Sequence, residues 1–405
     1  MPAHPTVEAI LAALVAFDTT SSASNTALIA WIEEYLAPYA AQVTRVNETN
    51  AHGITKSALL ARIGPQVEGG IVLSGHTDVV PVIDQQWTGG VGAETAFTLT
   101  CRDDRFYGRG TADMKGFIAL ALAQAPVWAT QELQRPVWLA LSYDEEVGCK
   151  CAEPLAVEFT QRTIRPQLIM VGEPTMMQVV DEHKGIDAFE TIITGKEGHS
   201  SAPDAGVNAA YIAAHLTVCL EEMNLQQQAQ AVGGSAFPTP YSTVHVGVMQ
   251  AGVARNIIAG SAAIRWEVRP MPGADVNAII APFEACVAAL ITRYPGCAIE
   301  TRRLTHVQGL KKQNGDAAYL ALAMYLAGSN GAPGAVSYGT EGGAFGAHGF
   351  PTVICGPGSI DQAHQPDEYI AKVQLEKGAA MMQRVGEVLA RGGRGAGRQG
   401  SREAG

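Results

Sequence analysis

Two histidines and four acids stand out in this chain because each follows an apolar, strand-like run. In order they are His76 in Ser-Gly-His-Thr-Asp, Asp113 in Gly-Arg-Gly-Thr-Ala-Asp-Met-Lys-Gly, the pair Glu145 and Glu146, Glu173 in Gly-Glu-Pro-Thr, and His364 in Gln-Ala-His-Gln-Pro-Asp-Glu-Tyr. Imidazoles and carboxylates in this combination suit a pair of zinc-like cations, with one acid left over to act as a base. The chemistry they point to is metal-assisted hydrolysis.

Each residue also has a plainer reading. His76 and Asp78 follow the buried run Ile71-Val72-Leu73 two residues apart, so in extended chain they point to one side and Asp78 can orient the imidazole. A core histidine beside a turn would look the same. Gly108 and Gly110 let the backbone before Asp113 approach a ligand closely, but the segment lacks the third glycine and the Lys-Ser/Thr of a phosphate loop. Alone, Asp113 reads as a helix N-cap, and Asp144-Glu145-Glu146 as a charged turn. Adjacent residues in extended chain face opposite sides, so one of Glu145 and Glu146 can ligate while the other reaches toward a substrate. Position favours the joint reading. Every candidate follows the carboxyl end of an expected strand, where open α/β sheets bind their ligands.

The elements that must carry these residues come in two textures. Helical patterns cover Thr6–Phe17, Asn25–Tyr39 and Gly116–Ala123. Strand patterns cover Ser57–Ile63, Gly70–Ser74, Val137–Ser142 and Gln167–Val171. Continuous apolar strands alternating with helices predict a mixed, mostly parallel sheet covered on both faces. From about His183 the pattern becomes period-two: Ile264, Trp266 and Val268 alternate with Arg265, Glu267 and Arg269. Strands at Gly185–Thr194, Ser242–Met249, Ile257–Val268 and a short one at Ala298–Thr301, with helices at Val207–Met223 and Val276–Tyr294, give the order β-α-β-β-α-β of a ferredoxin-like α+β unit. Gln226–Ser235 reads as a loop inside it. The α/β texture then returns, with a helix at Ala317–Ala327 and a strand at Pro351–Cys355. If all six residues share one site, residues 183–301 are an insertion into a catalytic domain formed by 1–182 and 302–390. The Gly/Arg-rich stretch 391–405 reads as a disordered tail.

Composition narrows the class. The 405 residues are 47% hydrophobic and 17% charged, as in an ordinary globular protein of about two domains. A formal net charge of -11 leaves no basic stripe for nucleic acid. Seven scattered cysteines read as reduced buried thiols of a cytoplasmic protein, and Cys149-Lys150-Cys151 fits no common zinc motif. The apolar run Ile10–Phe17 has no basic leader, and no stretch reaches the roughly 18–20 apolar residues of a membrane helix.

The chain resembles the zinc peptidases and deacylases of the M20 family. The matching segments are Gly-His-Thr-Asp-Val-Val-Pro, Gly-Arg-Gly-Thr-Ala-Asp-Met-Lys-Gly, Asp-Glu-Glu-Val-Gly, Gly-Glu-Pro-Thr, His-Lys-Gly, Gly-His-Ser-Ser-Ala-Pro, Arg-Pro-Met-Pro-Gly and Gly-Pro-Gly-Ser-Ile-Asp-Gln-Ala-His-Gln-Pro-Asp-Glu-Tyr. The last is the most specific to the acetylornithine branch. The resemblance implies a zinc-exopeptidase-like catalytic domain with two divalent metal ions, zinc first, cobalt or manganese also fitting. It implies that Asp113 bridges them, with His76 and Glu173 on one ion and Glu146 and His364 on the other. Glu145 would be the general base and Asp78 the partner of His76. The inserted domain would form a homodimer, in which His199 polarises the scissile carbonyl in the partner subunit's site. Arg255, Asn256 and Arg269 would hold a substrate carboxylate. The implied reaction is hydrolysis of an N-acyl amino acid, N2-acetyl-L-ornithine to L-ornithine and acetate in arginine biosynthesis. Succinyl-diaminopimelate desuccinylase, a broad aminoacylase or a dipeptidase are the alternatives within the family. A non-catalytic regulator or a nucleotide-binding enzyme are the alternatives outside it. After Gly339-Thr340-Glu341 the chain reads Gly342-Gly343-Ala344-Phe345, a departure from the family pattern that bears on the substrate if this loop shapes the pocket.

Overall fold

The computed structural model describes residues 4–313 and 317–391. Apart from Arg391, the tail expected at 391–405 lies outside the described residues. The chain divides into two units. The first comprises Met1–Asp181, Gln313–Gly334 and Ala344–Gly405, and the second Glu182–Lys312 with Ala335–Gly343.

The first unit is built on a sheet in the strand order Gln42–Thr49, Thr55–Ile63, Val137–Ser142, Ile71–His76, Leu168–Pro174, Thr352–Gly356, Val180–His183. Its four middle strands, from Val137–Ser142 to Thr352–Gly356, run parallel and are buried along their whole length. That is why they read as unbroken apolar runs: helices cover both faces. Thr55–Ile63 pairs antiparallel with Val137–Ser142, and Gln42–Thr49 with Thr55–Ile63. Gln42–Thr49 gives no apolar signal because it is a half-exposed edge.

Helices Val7–Val15, Thr26–Leu36, Gly116–Thr130 and Lys372–Ala390 supply Leu11, Leu14, Ile29, Phe117, Trp128, Met382 and Val385 to one core. Gly116–Thr130 runs well past its expected end at Ala123, through Pro126. Proline leaves the carbonyl four residues back without its helical donor. Here the Tyr35 hydroxyl donates to that carbonyl, Leu122 O, at 3.2 Å.

The second unit is a four-stranded antiparallel sheet in the order Thr243–Ala251, Ser261–Arg269, Ile186–Thr194, Ala298–Val307, with helices Ala209–Ala229 and Val276–Arg293. The chain order is the expected β-α-β-β-α-β. Ile264, Trp266 and Val268 are buried, and Trp266 stacks on Phe189 at 4.3 Å and tilts against Phe283 at 4.7 Å. Asn208 and Asp275 cap the two helices through their side chains.

Four further expectations need correction. The first helix continues to Ala229, so Gln226–Ala229 is helical and not part of a loop. The last strand does not stop at Thr301 but runs to Val307, carried by polar cross-strand partners, with Arg302 on Glu190 and His306 on Asp187 at 2.8 Å. Alternating charge hides such a strand from an apolar pattern. Val276–Arg293 is also long and apolar enough to cross a membrane by length and composition, though Ile279, Phe283 and Leu290 pack into this unit's core. None of the seven cysteines forms a disulfide, but only Cys149, Cys151 and Cys355 are buried.

Candidate active site

His76 closes a buried parallel strand, and its ring nitrogens are fully committed. Nδ1 lies 2.9 Å from the backbone carbonyl of Asp78, which fixes Nδ1–H as the donor and turns Nε2 toward the acids. Nε2 is 2.9 Å from Asp113 Oδ1 and 3.8 Å from Glu173 Oε1. The other oxygen of Asp113, Oδ2, is 3.4 Å from His364 Nε2, and that nitrogen is 2.9 Å from Glu146 Oε2. One carboxylate therefore faces two imidazoles, each accompanied by a further glutamate. His76, Asp113 and Glu146 bring ligand atoms within 4.8 Å of one another, as do His76, Glu145 and Glu173. All six residues singled out in the sequence meet in one place. The His364 side chain is 55% exposed while the others are largely buried, so the site opens to solvent on the His364 side.

The electrostatics show an excess of negative charge in a dry place. Burial disfavours a charged His76, but the carboxylates of Asp113 and Glu173 outweigh it and hold its pKa well above the ordinary value. Hydrogen bonds to Asp113 and Glu146 push His364 up to about 10. Burial, reinforced by the charge of Asp113, raises Glu146 and raises Glu173 strongly. Asp113 would be raised by burial as well, but the two imidazoles hold it well below the usual carboxylate range. Glu173 Oε1 is buried and makes no hydrogen bond. A desolvated carboxylate oxygen without a donor is costly unless a cation meets it. Nitrogen and oxygen donors in this number fit divalent ions of the zinc, cobalt or manganese kind.

Asp78 meets the His76 ring through its backbone carbonyl, and its carboxylate has other partners. Because the strand ends at His76, Asp78 lies in the following loop, and its carboxylate stays 3.7 Å from the imidazole. Instead it accepts from Glu145 N at 3.1 Å, Glu146 N at 3.3 Å and Ser21 Oγ at 2.7 Å. It thus pins the turn that carries both glutamates, a turn further tied down by Lys56 on Asp144. Sequence reasoning missed Cys149, whose thiol donates to Glu145 Oε1 at 3.2 Å. The spacing of four with Gly148 between was the only signal.

In the second unit, His199 Nδ1 accepts from Ser201 N at 3.2 Å and lies 2.7 Å from Ser201 Oγ, which leaves Nε2–H as the free donor of the ring. Ser200 N donates to Asn256 O at 3.1 Å, so Arg255 and Asn256 lie beside His199. Arg269 forks onto Glu267, with Nε to Oε1 at 2.9 Å and Nη2 to Oε2 at 3.3 Å. Phe345, the departure in the loop after Glu341, is fully buried in the first unit and stacks on Phe159 at 5.5 Å. It fills core space.

Comparison with known proteins agrees with this geometry. The model for peptidase family M20/M25/M40 matches residues 72–387. The chain is 34% identical to a Myxococcus xanthus protein named acetylornithine deacetylase, over 94% of this chain and 97% of that one. It is 36% identical to a Pectobacterium atrosepticum protein of the same name, over 78% and 79%. A tripeptidase from Staphylococcus aureus has the same fold, with a TM-score of 0.73 at 18% identity over 95% of this chain and 98% of that one. With the family's segments converging on one acidic cluster and the match spanning most of its length, this chain belongs to peptidase family M20/M25/M40.

Proposed function

We propose that this protein hydrolyses the amide bond of N2-acetyl-L-ornithine, releasing L-ornithine and acetate, a step of arginine biosynthesis in the cytoplasm. The observation that carries the reading is the Asp113 carboxylate, which presents one oxygen to His76 and the other to His364. The substrate is supported by the similarity to proteins named acetylornithine deacetylase, which extends over nearly the full length of both chains in the Myxococcus case. His76, Asp113 and Glu173 would hold one divalent ion, and Asp113, Glu146 and His364 the other. Zinc is the first choice, and cobalt or manganese would also be accepted. When bound, such ions polarise a carbonyl and lower the pKa of water toward neutrality.

The remaining work falls to the chain's own groups. Glu145 takes a proton from the attacking water and returns it to the leaving amine. The Cys149 thiol donates to Oε1 of that carboxylate and helps to hold its direction. Asp78 keeps Glu145 and Glu146 in fixed directions through their amides. The inserted unit forms a homodimer, and His199 offers its Nε2–H to the scissile carbonyl in the partner subunit's site, an oxyanion-type contact. Arg255, Asn256 and Arg269 hold the α-carboxylate of the substrate, Arg269 exchanging Glu267 for it.

A panel of N-acyl amino acids and dipeptides, run on purified protein with defined metals, tests the substrate. N2-acetyl-L-ornithine should lead in kcat/KM by about tenfold or more, a difference of ~1.4 kcal/mol in transition-state binding. A higher value on a succinylated amine or a dipeptide would move the protein to another branch. His364→Ala, which strips one imidazole from the more exposed half of the site, should lose one ion and keep the other in a metal titration.

A further inference from the structure

Two residues of the matched motifs have no part in the site so far: Arg109 in Gly-Arg-Gly-Thr-Ala-Asp and Glu368 in His-Gln-Pro-Asp-Glu. Both are 1% exposed. Glu368 Oε2 lies 2.8 Å from Arg109 Nη1 and accepts from Gly110 N at 3.0 Å. Its other oxygen, Oε1, accepts from Ala112 N at 2.9 Å and from Asp113 N at 3.1 Å. The backbone joins in, with Gly108 N donating to Glu368 O at 2.9 Å. Gly110 adopts a φ of 81°, a left-handed turn that brings the amides of the loop around to one anion.

The same arginine reaches the other metal-site segment. Arg109 Nη2 donates to Gln85 Oε1 at 2.7 Å, and Gln85 Nε2 lies 3.4 Å from His364 O. The guanidinium sits over the Trp87 ring at 5.3 Å. His364 itself stands in the left-handed region, φ 65°, a backbone conformation that its surroundings must hold in place.

We propose that Glu368, locked by Arg109, is a positioning residue that sets the carboxylate of Asp113 in register with the imidazole of His364. The inference rests on the reading that these two residues share an ion. Glu368 belongs to the His364 segment, yet it anchors the backbone amide of Asp113 itself. A buried ion pair adds little net stability over a well-packed apolar pair, so its chief effect here is on geometry. Four donors converge on one carboxylate, and no neutral side chain of that size accepts all four.

The test is zinc titration of chelator-stripped protein, with the visible spectrum of the cobalt-substituted form as a second readout of coordination. Wild type should take two ions. Glu368→Gln turns one acceptor into a donor that faces donors. It should bind the first ion normally and the second about 10–100-fold more weakly. Its kcat should fall while KM changes little, and excess zinc should restore turnover. Arg109→Gln, which leaves the three backbone donors in place, should shift the second ion the same way by less, and it carries the test if Glu368→Gln does not fold. Two ions bound with wild-type affinity and an unchanged cobalt spectrum in both variants, with only the melting temperature lowered, would overturn the clamp. A wild-type protein that takes a single ion would instead overturn the bridging role of Asp113, before any variant is made.

Discussion

Glu145→Gln should keep both metal ions and lose about 10³-fold in kcat, or ~4 kcal/mol of transition-state stabilisation. The structure makes this a clean substitution. The amide N–H of residue 145 remains bound to Asp78, and the Cys149 thiol can donate to a glutamine oxygen as it does to the carboxylate. The ability to take up a proton disappears, together with one negative charge beside His76 and Glu173. Inductively coupled plasma analysis of the dialysed variant beside its steady-state kinetics would check it. Glu145 also stands within ligand distance of His76 and Glu173, so one outcome is decisive against the assignment. If an ion leaves together with the activity, Glu145 is a ligand and the base must be sought elsewhere.

Asp113→Asn should have the other large effect, weakening both ions together by of order 100-fold. An amide offers a single anion-free oxygen, and its nitrogen carries hydrogens toward one of the two imidazoles. Loss of both ions distinguishes this variant from His364→Ala, which should lose one. The measurement is competition against a chelator of known zinc affinity. Retention of one ion at full affinity would show that Asp113 serves one half of the site only. The carboxylate crowding that raises Glu173 and Glu146 would also ease, since Asp113 is the largest charge acting on each.

Much of this site was legible in the residues themselves. His76, Glu173 and the Glu145–Glu146 turn lie at the carboxyl ends of strands whose apolar runs are unmistakable, and those strands are the buried parallel centre of the sheet. The ferredoxin-like order of the inserted unit was legible too, because Ser261–Arg269 alternates buried and exposed residues along its length. What escaped notice was held by polar groups. The second half of Ala298–Val307 depends on Arg302, Arg303 and His306 finding acids on the neighbouring strand. Two partners of the Asp78 carboxylate are backbone amides, which carry no sequence signature, and the third is Ser21, far away in the chain. Cys149 matters through one hydrogen bond hidden in a turn, and Glu368 through several to groups far away in the chain.

Residue chemistry by itself determined the kind of site: two imidazoles, four carboxylates and the strand ends that present them. Which oxygen meets which imidazole was settled only by the tertiary structure. Strand order in a parallel sheet follows from how crossover helices pack, and no local pattern places Thr352–Gly356 beside Leu168–Pro174 and thereby brings His364 to Asp113. Local propensity and apolar period act over a few residues, whereas the bridging geometry arises where segments distant in sequence share one desolvated space.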